Sequence, residues 1–157
     1  MKISKIEFEN FRNFMERGEI RCSTDGKVTI IYGKNGDGKT TLHQLFQWIF
    51  YGQVRFNKTT TDRLYNLQYE SECSFGDTFQ VMGGIDFGHD GAQYSLRRTY
   101  TYRKGLVDSE KIAEDFSLSK MDEDFNWRRL DRPREIIEKL LPSGLSDYFF
   151  FDGESMI

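Results

Sequence analysis

The stretch Gly33-Lys34-Asn35-Gly36-Asp37-Gly38-Lys39-Thr40 has the spacing G-x-x-x-x-G-K-[ST]. Each residue type in it suits a grip on a polyphosphate. Glycines let the backbone curl until successive N–H groups point inward at phosphate oxygens. A helix that starts at the end of the loop adds its positive N-terminal pole. Lys39 is placed to reach the β- and γ-phosphates, and the Thr40 hydroxyl to ligate Mg²⁺. Thr41 follows as a partner for the α-phosphate. Gly33, Asn35, Gly36, Asp37, Gly38, Lys39, Thr40 and Thr41 are therefore the expected ATP–Mg²⁺ contacts. Lys39 is also the candidate catalytic cation.

A second stretch with chemical potential is Tyr148-Phe149-Phe150-Phe151-Asp152-Gly153-Glu154. Three readings fit it. Asp152 ends a Walker B strand and binds Mg²⁺ through water, with Glu154 as base. Alternatively, Asp152 sits on a strand-end loop near the γ-phosphate as a metal or water ligand. The third reading is a core strand that ends in an ordinary Asp-Gly turn.

The elements that must position these residues follow from periodicity. Val28-Thr29-Ile30-Ile31-Tyr32 is a nearly continuous apolar run, the pattern of a strand buried on both faces in a mostly parallel sheet. Behind the loop, Leu42, Leu45, Phe46, Ile49 and Phe50 fall at helical spacing, and Gly52 is placed to stop the helix. Alternation at Ile3, Ile6 and Phe8 predicts a first strand, and a short one is expected at Gly18–Cys22. Residues 53–77 read as polar and irregular. Thr78–Phe87 and Ala92–Arg103 read as a hairpin around Gly88–Gly91, with Gly83-Gly84 marking a bulge. A weaker hairpin pairs Asp115–Ser119 with Phe125–Leu130. Asp131 is placed to cap a helix with Pro133 in its first turn and Ile136, Ile137, Leu140 and Leu141 inside.

Composition bounds the rest. The 157 residues suit one domain, 1–157, comprising the phosphate loop at 33–40, a β-rich middle at 78–130 and a helix with tail at 131–157. The net charge of −3 excludes a basic nucleic-acid wrapper. The pairs Arg97-Arg98, Arg103-Lys104 and Arg128-Arg129, with Lys58 and Arg63, are either phosphate-tracking or solvated strand positions. His43 reads as solvated. Cys22 and Cys73 form no CxxC pair, which fits free thiols in a reducing cytoplasm. No apolar run approaches the ~20 residues of a membrane span. Aromatics at 15% exceed what a chain this polar needs outside its core. They leave room for a face that meets another lobe.

The segments at 2–14 (Lys-Ile-x-Lys-Ile-x-Phe-x-Asn-Phe-Arg-Asn-Phe) and 30–42 resemble the start of an SMC-like ATPase, the RecF, SbcC and DndD group. The tail Phe149–Glu154 is similar to the Phe-Asp-Gly-Glu segment of DndD-type proteins of DNA phosphorothioation and phage defence. The resemblance implies an α/β P-loop NTPase fold of ABC/SMC-head type, its N-terminal lobe built from a mixed sheet and β-hairpins. It implies a head split in sequence, with a coiled coil and a C-terminal lobe beyond this stretch. It also implies ATP-dependent pairing with a second head and DNA as the substrate of the assembly. Arg12 then matches a loop arginine that approaches the nucleotide, with Asn13 beside it. Asp152 falls at the Q-loop, where many relatives carry Gln. The tail is where a coiled coil is expected to begin. Two other readings remain: a self-contained P-loop NTPase or kinase with Asp152 as Walker B, and a non-catalytic nucleotide-binding module.

Overall fold

The computed structural model describes residues 1–34, 36–56 and 59–146. Chain order runs β1 (Lys2–Glu9), β2 (Gly18–Arg21), α1 (Lys39–Tyr51), β3 (Arg55–Phe56), β4 (Thr59–Thr60), α2 (Leu67–Glu72), β5 (Thr78–His89), β6 (Ala92–Arg103), β7 (Glu110–Met121), β8 (Trp127–Arg129) and α3 (Pro133–Leu140). Six strands form one sheet in the order β2-β1-β5-β6-β7-β8. Every pairing in it is antiparallel, so the expectation of a mixed sheet is not met among the described residues.

The run 28–32 explains why. It was expected as a doubly buried strand, yet it forms no strand, and Val28, Ile30 and Tyr32 are 84%, 83% and 91% exposed. A strand of that kind needs neighbours on both edges to take its backbone N–H and C=O groups. Among the described residues, the sheet ends instead at β2 and β8.

β5 and β6 turn on Asp90-Gly91, both at positive φ (48° and 75°), the pattern of a two-residue type I′ turn. Alternation then sets the faces. Phe79, Val81, Ile85 and Phe87 of β5, with Leu96, Arg98, Tyr100 and Tyr102 of β6, are buried. α1 packs on this inner face through Leu42, Leu45, Trp48, Ile49 and Phe50. Phe46, part of the expected stripe, is only partly buried. Trp48, outside that stripe, is fully buried, stacked on Phe11 at 5.2 Å and edge-on to Tyr100 at 5.1 Å.

Gly83 and Gly84 do not mark a bulge, because the β5–β6 register passes through them unbroken. They mark close approach. A Cβ at Gly83 would lie 2.7 Å from Ile49 Cγ1 and 2.9 Å from Trp48 Cζ3. The missing side chain lets α1 lie directly on the sheet.

The arginine pairs separate into two environments. Arg98 is 1% exposed. Its Nε donates to the Ile49 carbonyl at 3.2 Å, and its Nη1 meets the Glu114 carboxylate. The Tyr100 hydroxyl donates to the Gly52 carbonyl at 3.1 Å. A cation and a hydroxyl thus answer the unpaired carbonyls at the negative end of α1. Burial rules Arg98 out as a contact for a DNA backbone. Arg97 faces the other side of the sheet, on Glu7 at 3.1 Å and Asp86 at 2.9 Å, with Lys5 also bridging those carboxylates. Arg128, Arg129, Lys104 and Arg63 pair with Asp122, Asp115, Glu70 and Asp108. Lys58 lies outside the described residues.

Two other local expectations change. The N-cap of α3 is Arg132, left-handed at φ 52° with no side-chain cap bond, rather than Asp131. Ile137 and Leu141 of the expected inner face are buried; Ile136 and Leu140 are partly so. Residues 53–77, expected to be irregular, contain α2. The hairpin at the end of the sheet is shorter and shifted relative to the expected pairing of Asp115–Ser119 with Phe125–Leu130: β7 meets β8 only at Ser119–Met121, and most of its length pairs with β6 instead.

Two tyrosines tie stability to alkaline pH. Burial pushes the Tyr102 phenol well above its ordinary range. Burial, then the Glu138 charge, pushes Tyr51 up to about 12. The unfolded value is about 10, so the folded state favours the neutral phenol. That contribution is complete below about pH 10 and is lost as pH rises through about 12. Urea midpoints measured from pH 9 to 12 should fall above pH 10, and the Tyr51→Phe/Tyr102→Phe double variant should fall less.

Candidate functional site

The phosphate loop joins the exposed run 28–32 to α1. Gly36 and Gly38 both sit at φ 94°, a left-handed conformation open to glycine at little cost. Gly38 is the N-cap of α1, with no side-chain cap bond and no acidic residue in the first turn. The N–H groups that open a helix have no intrahelical partner. Here no carboxylate of the first turn competes for them. The Lys39 ammonium donates to the carbonyls of Gly33 at 2.6 Å and Lys34 at 2.7 Å, so the loop curls around its own lysine. The Asp37 carboxylate accepts from Lys34 N–H at 2.6 Å. Thr40 is exposed and Thr41 buried. Asn35 lies outside the described residues.

The second part of the site is the loop that leaves β1. Asn10 and Arg12 are both left-handed, at φ 52° and 50°, a conformation that costs a non-glycine residue roughly 1–2 kcal/mol. Side-chain bonds hold them there. Asn66 Nδ2 donates to the Arg12 carbonyl at 2.6 Å, and Arg12 N–H donates to the Leu64 carbonyl at 2.7 Å. Asn10, 1% exposed, accepts from Asn66 N–H at 3.0 Å and donates to the Gln80 carbonyl at 3.0 Å. Asn66 also caps α2 through the Tyr69 N–H. One asparagine therefore starts a helix and clamps the arginine loop. Burial lowers the Arg12 guanidinium from its ordinary value. Asn13 is exposed.

Phe14 connects the two parts. Its ring stacks on Phe8 at 4.4 Å, and its Cε1 lies 2.9 Å from where a Gly38 Cβ would be. Phe11, three residues earlier, stacks on Trp48 of α1. Phe14 and Phe11 thus bring the loop that carries Arg12 and Asn13 against α1, at Gly38 and at Trp48. Sequence reading missed Asn66, Asn10 and Phe14 as supports. The Asn-Phe-Arg-Asn-Phe cluster was their only local signal, and Asn66 gave none.

His43 also differs from the solvated reading. It is partly buried, and its Nε2 is shielded from solvent with no hydrogen-bond partner. Asp152 and Glu154 lie outside the described residues. Among the described residues no group of His, Cys, Asp and Glu side chains is arranged to hold a metal ion. The Thr40 hydroxyl is then the one candidate Mg²⁺ ligand of the loop with described coordinates. Its exposure in the first turn of α1, two residues past the left-handed Gly38, fits a metal that is carried in by a polyphosphate.

No helix of the described residues is long and apolar enough to cross a membrane. No curated protein matches the chain. The family model described as an AAA domain matches residues 5–155, from within β1 through both parts of the site to the tail, and the chain belongs to that family of nucleotide-binding, ATPase-type domains.

Proposed function

We propose that the chain is the N-terminal, ATP–Mg²⁺-binding half of a split SMC-like ATPase head in the cytoplasm. The observation that carries this reading is the bare apolar run at 28–32. It leads directly into the phosphate loop, and its side chains are exposed where a nucleotide-binding sheet is expected to be most buried. A C-terminal lobe that adds strands beside it would cover it and complete the sheet. Binding would rest on the curled loop, with Lys39 at the β- and γ-phosphates, Thr40 and Asp152 at Mg²⁺, and Arg12 and Asn13 at the nucleotide's flank. Mg²⁺, when bound, neutralises charge that develops on the transferred phosphoryl group. The protein's own part is positioning: Lys39 is steered by the loop's carbonyls, and Arg12 is steered by Asn66. Pairing of two heads on ATP, a DNA substrate and a place in DNA modification or phage defence of the DndD kind complete the proposal.

Reconstitution tests it. The 157-residue chain should bind ATP–Mg²⁺ without multiple turnover, and adding the C-terminal lobe should restore hydrolysis. Multiple turnover by the chain alone would instead support the self-contained enzyme.

A further inference from the structure

Asp37 occupies a variable position of the loop, and its side chain is engaged within the loop itself. The carboxylate Oδ2 accepts from Lys34 N–H at 2.6 Å, while Asp37 N–H donates to the Lys34 carbonyl at 3.2 Å. This reciprocal pair ties the start of the loop to the residue before Gly38. The same side chain lies across Gly33, where a Cβ would meet Asp37 Cβ at 3.1 Å and Oδ2 at 3.3 Å. Lys39 grips the Gly33 and Lys34 carbonyls as well. Lys34 is therefore held three times, twice by Asp37 and once by Lys39.

We propose that Asp37 is a positioning residue that braces the phosphate loop in its curled form before nucleotide arrives. This rests on the nucleotide-binding reading above and adds the role of one side chain to it. A loop of this length with several glycines is costly to order. A brace made in advance removes that cost from the binding step. A carboxylate is also the strongest acceptor that a short side chain can offer a backbone N–H. Its negative charge acts the other way, since it repels a polyphosphate. The two effects have opposite signs, so two substitutions separate them. Asparagine keeps an acceptor oxygen and drops the charge. Alanine drops both.

The measurement is calorimetric titration of the 157-residue chain with ATP–Mg²⁺, for the parent, Asp37→Asn, Asp37→Ala and Lys39→Ala, with a thermal melt of each. Loss of one charge-assisted bond predicts binding about tenfold weaker in Asp37→Ala. Asp37→Asn should bind at least as tightly as the parent. The melts should agree closely, because the loop is exposed. Tighter binding by both Asp37 variants overturns the brace and leaves only charge repulsion. Unchanged binding in both overturns it as a contact without consequence. Equal loss in both also overturns it, because the amide retains the acceptor. In those three results Lys39→Ala still loses binding, and the nucleotide reading stands. If the parent does not bind, or Lys39→Ala binds equally well, the nucleotide reading falls and the brace falls with it.

Discussion

Trp48→Ala is expected to destabilise the domain by about 3–5 kcal/mol, the range for deleting a large buried aromatic. That is a large part of the roughly 5–15 kcal/mol that holds a typical domain together. The cost should fall at the high end, because the site has little means of collapse. Trp48 is fully buried, held between Phe11 and Tyr100. Its ring also lies against the backbone of Gly83. The cavity would open between α1 and the sheet, beneath the helix that begins at the phosphate loop. Trp48→Phe should cost much less. The indole Nε1 is buried without a hydrogen-bond partner, and an unpaired buried donor costs about 1–3 kcal/mol. Phenylalanine loses some volume but removes that penalty. Urea midpoints for the three proteins check both parts. Equal loss in the two variants would show that the indole N–H is paired after all.

Lys39→Ala is expected to weaken ATP–Mg²⁺ binding by roughly a hundredfold or more. A bond to a charged group contributes about 1.5–3 kcal/mol, and Lys39 is placed to serve two phosphates. The fold should be indifferent. Lys39 is exposed, and its present partners, the Gly33 and Lys34 carbonyls, are exposed loop groups that water can serve. Stability should stay within about 0.5 kcal/mol of the parent. Lys39→Arg should fail as well. A planar fork cannot replace a compact ammonium that fits between two loop carbonyls. Calorimetry beside a thermal melt separates lost binding from lost fold. Parent-like affinity in Lys39→Ala would remove the phosphate loop from any account of this protein.

Much of the local structure was legible because it depends on near neighbours. The start and stop of α1 follow from Gly38 and Gly52, both left-handed. The β5–β6 hairpin follows from alternation and from Asp90-Gly91. Long-range packing was less legible. Helical spacing picked Phe46 over Trp48 for the inner face, because periodicity weighs residue types and cannot see the space that Gly83 leaves across the sheet. Gly83-Gly84 looked like a bulge for the same reason. Asp131 looked like a cap by residue type, yet the chain enters α3 through a left-handed Arg132.

By itself the sequence determined the glycine-rich motif at 33–40 and the expectation of phosphate binding that goes with it, because that motif lies within one short stretch. Glycines, lysine and threonine at set spacing are the basis of the proposal that the loop holds a polyphosphate. Only the tertiary structure decided what supports it. Phe14 against Gly38, Asn66 on the Arg12 loop and Arg98 at the far end of α1 each join residues remote in sequence. Such contacts carry no periodic signal. They arise where the antiparallel sheet brings β1, β5 and β6 under one helix, and the same sheet leaves the run at 28–32 uncovered because none of its described strands lies beside it.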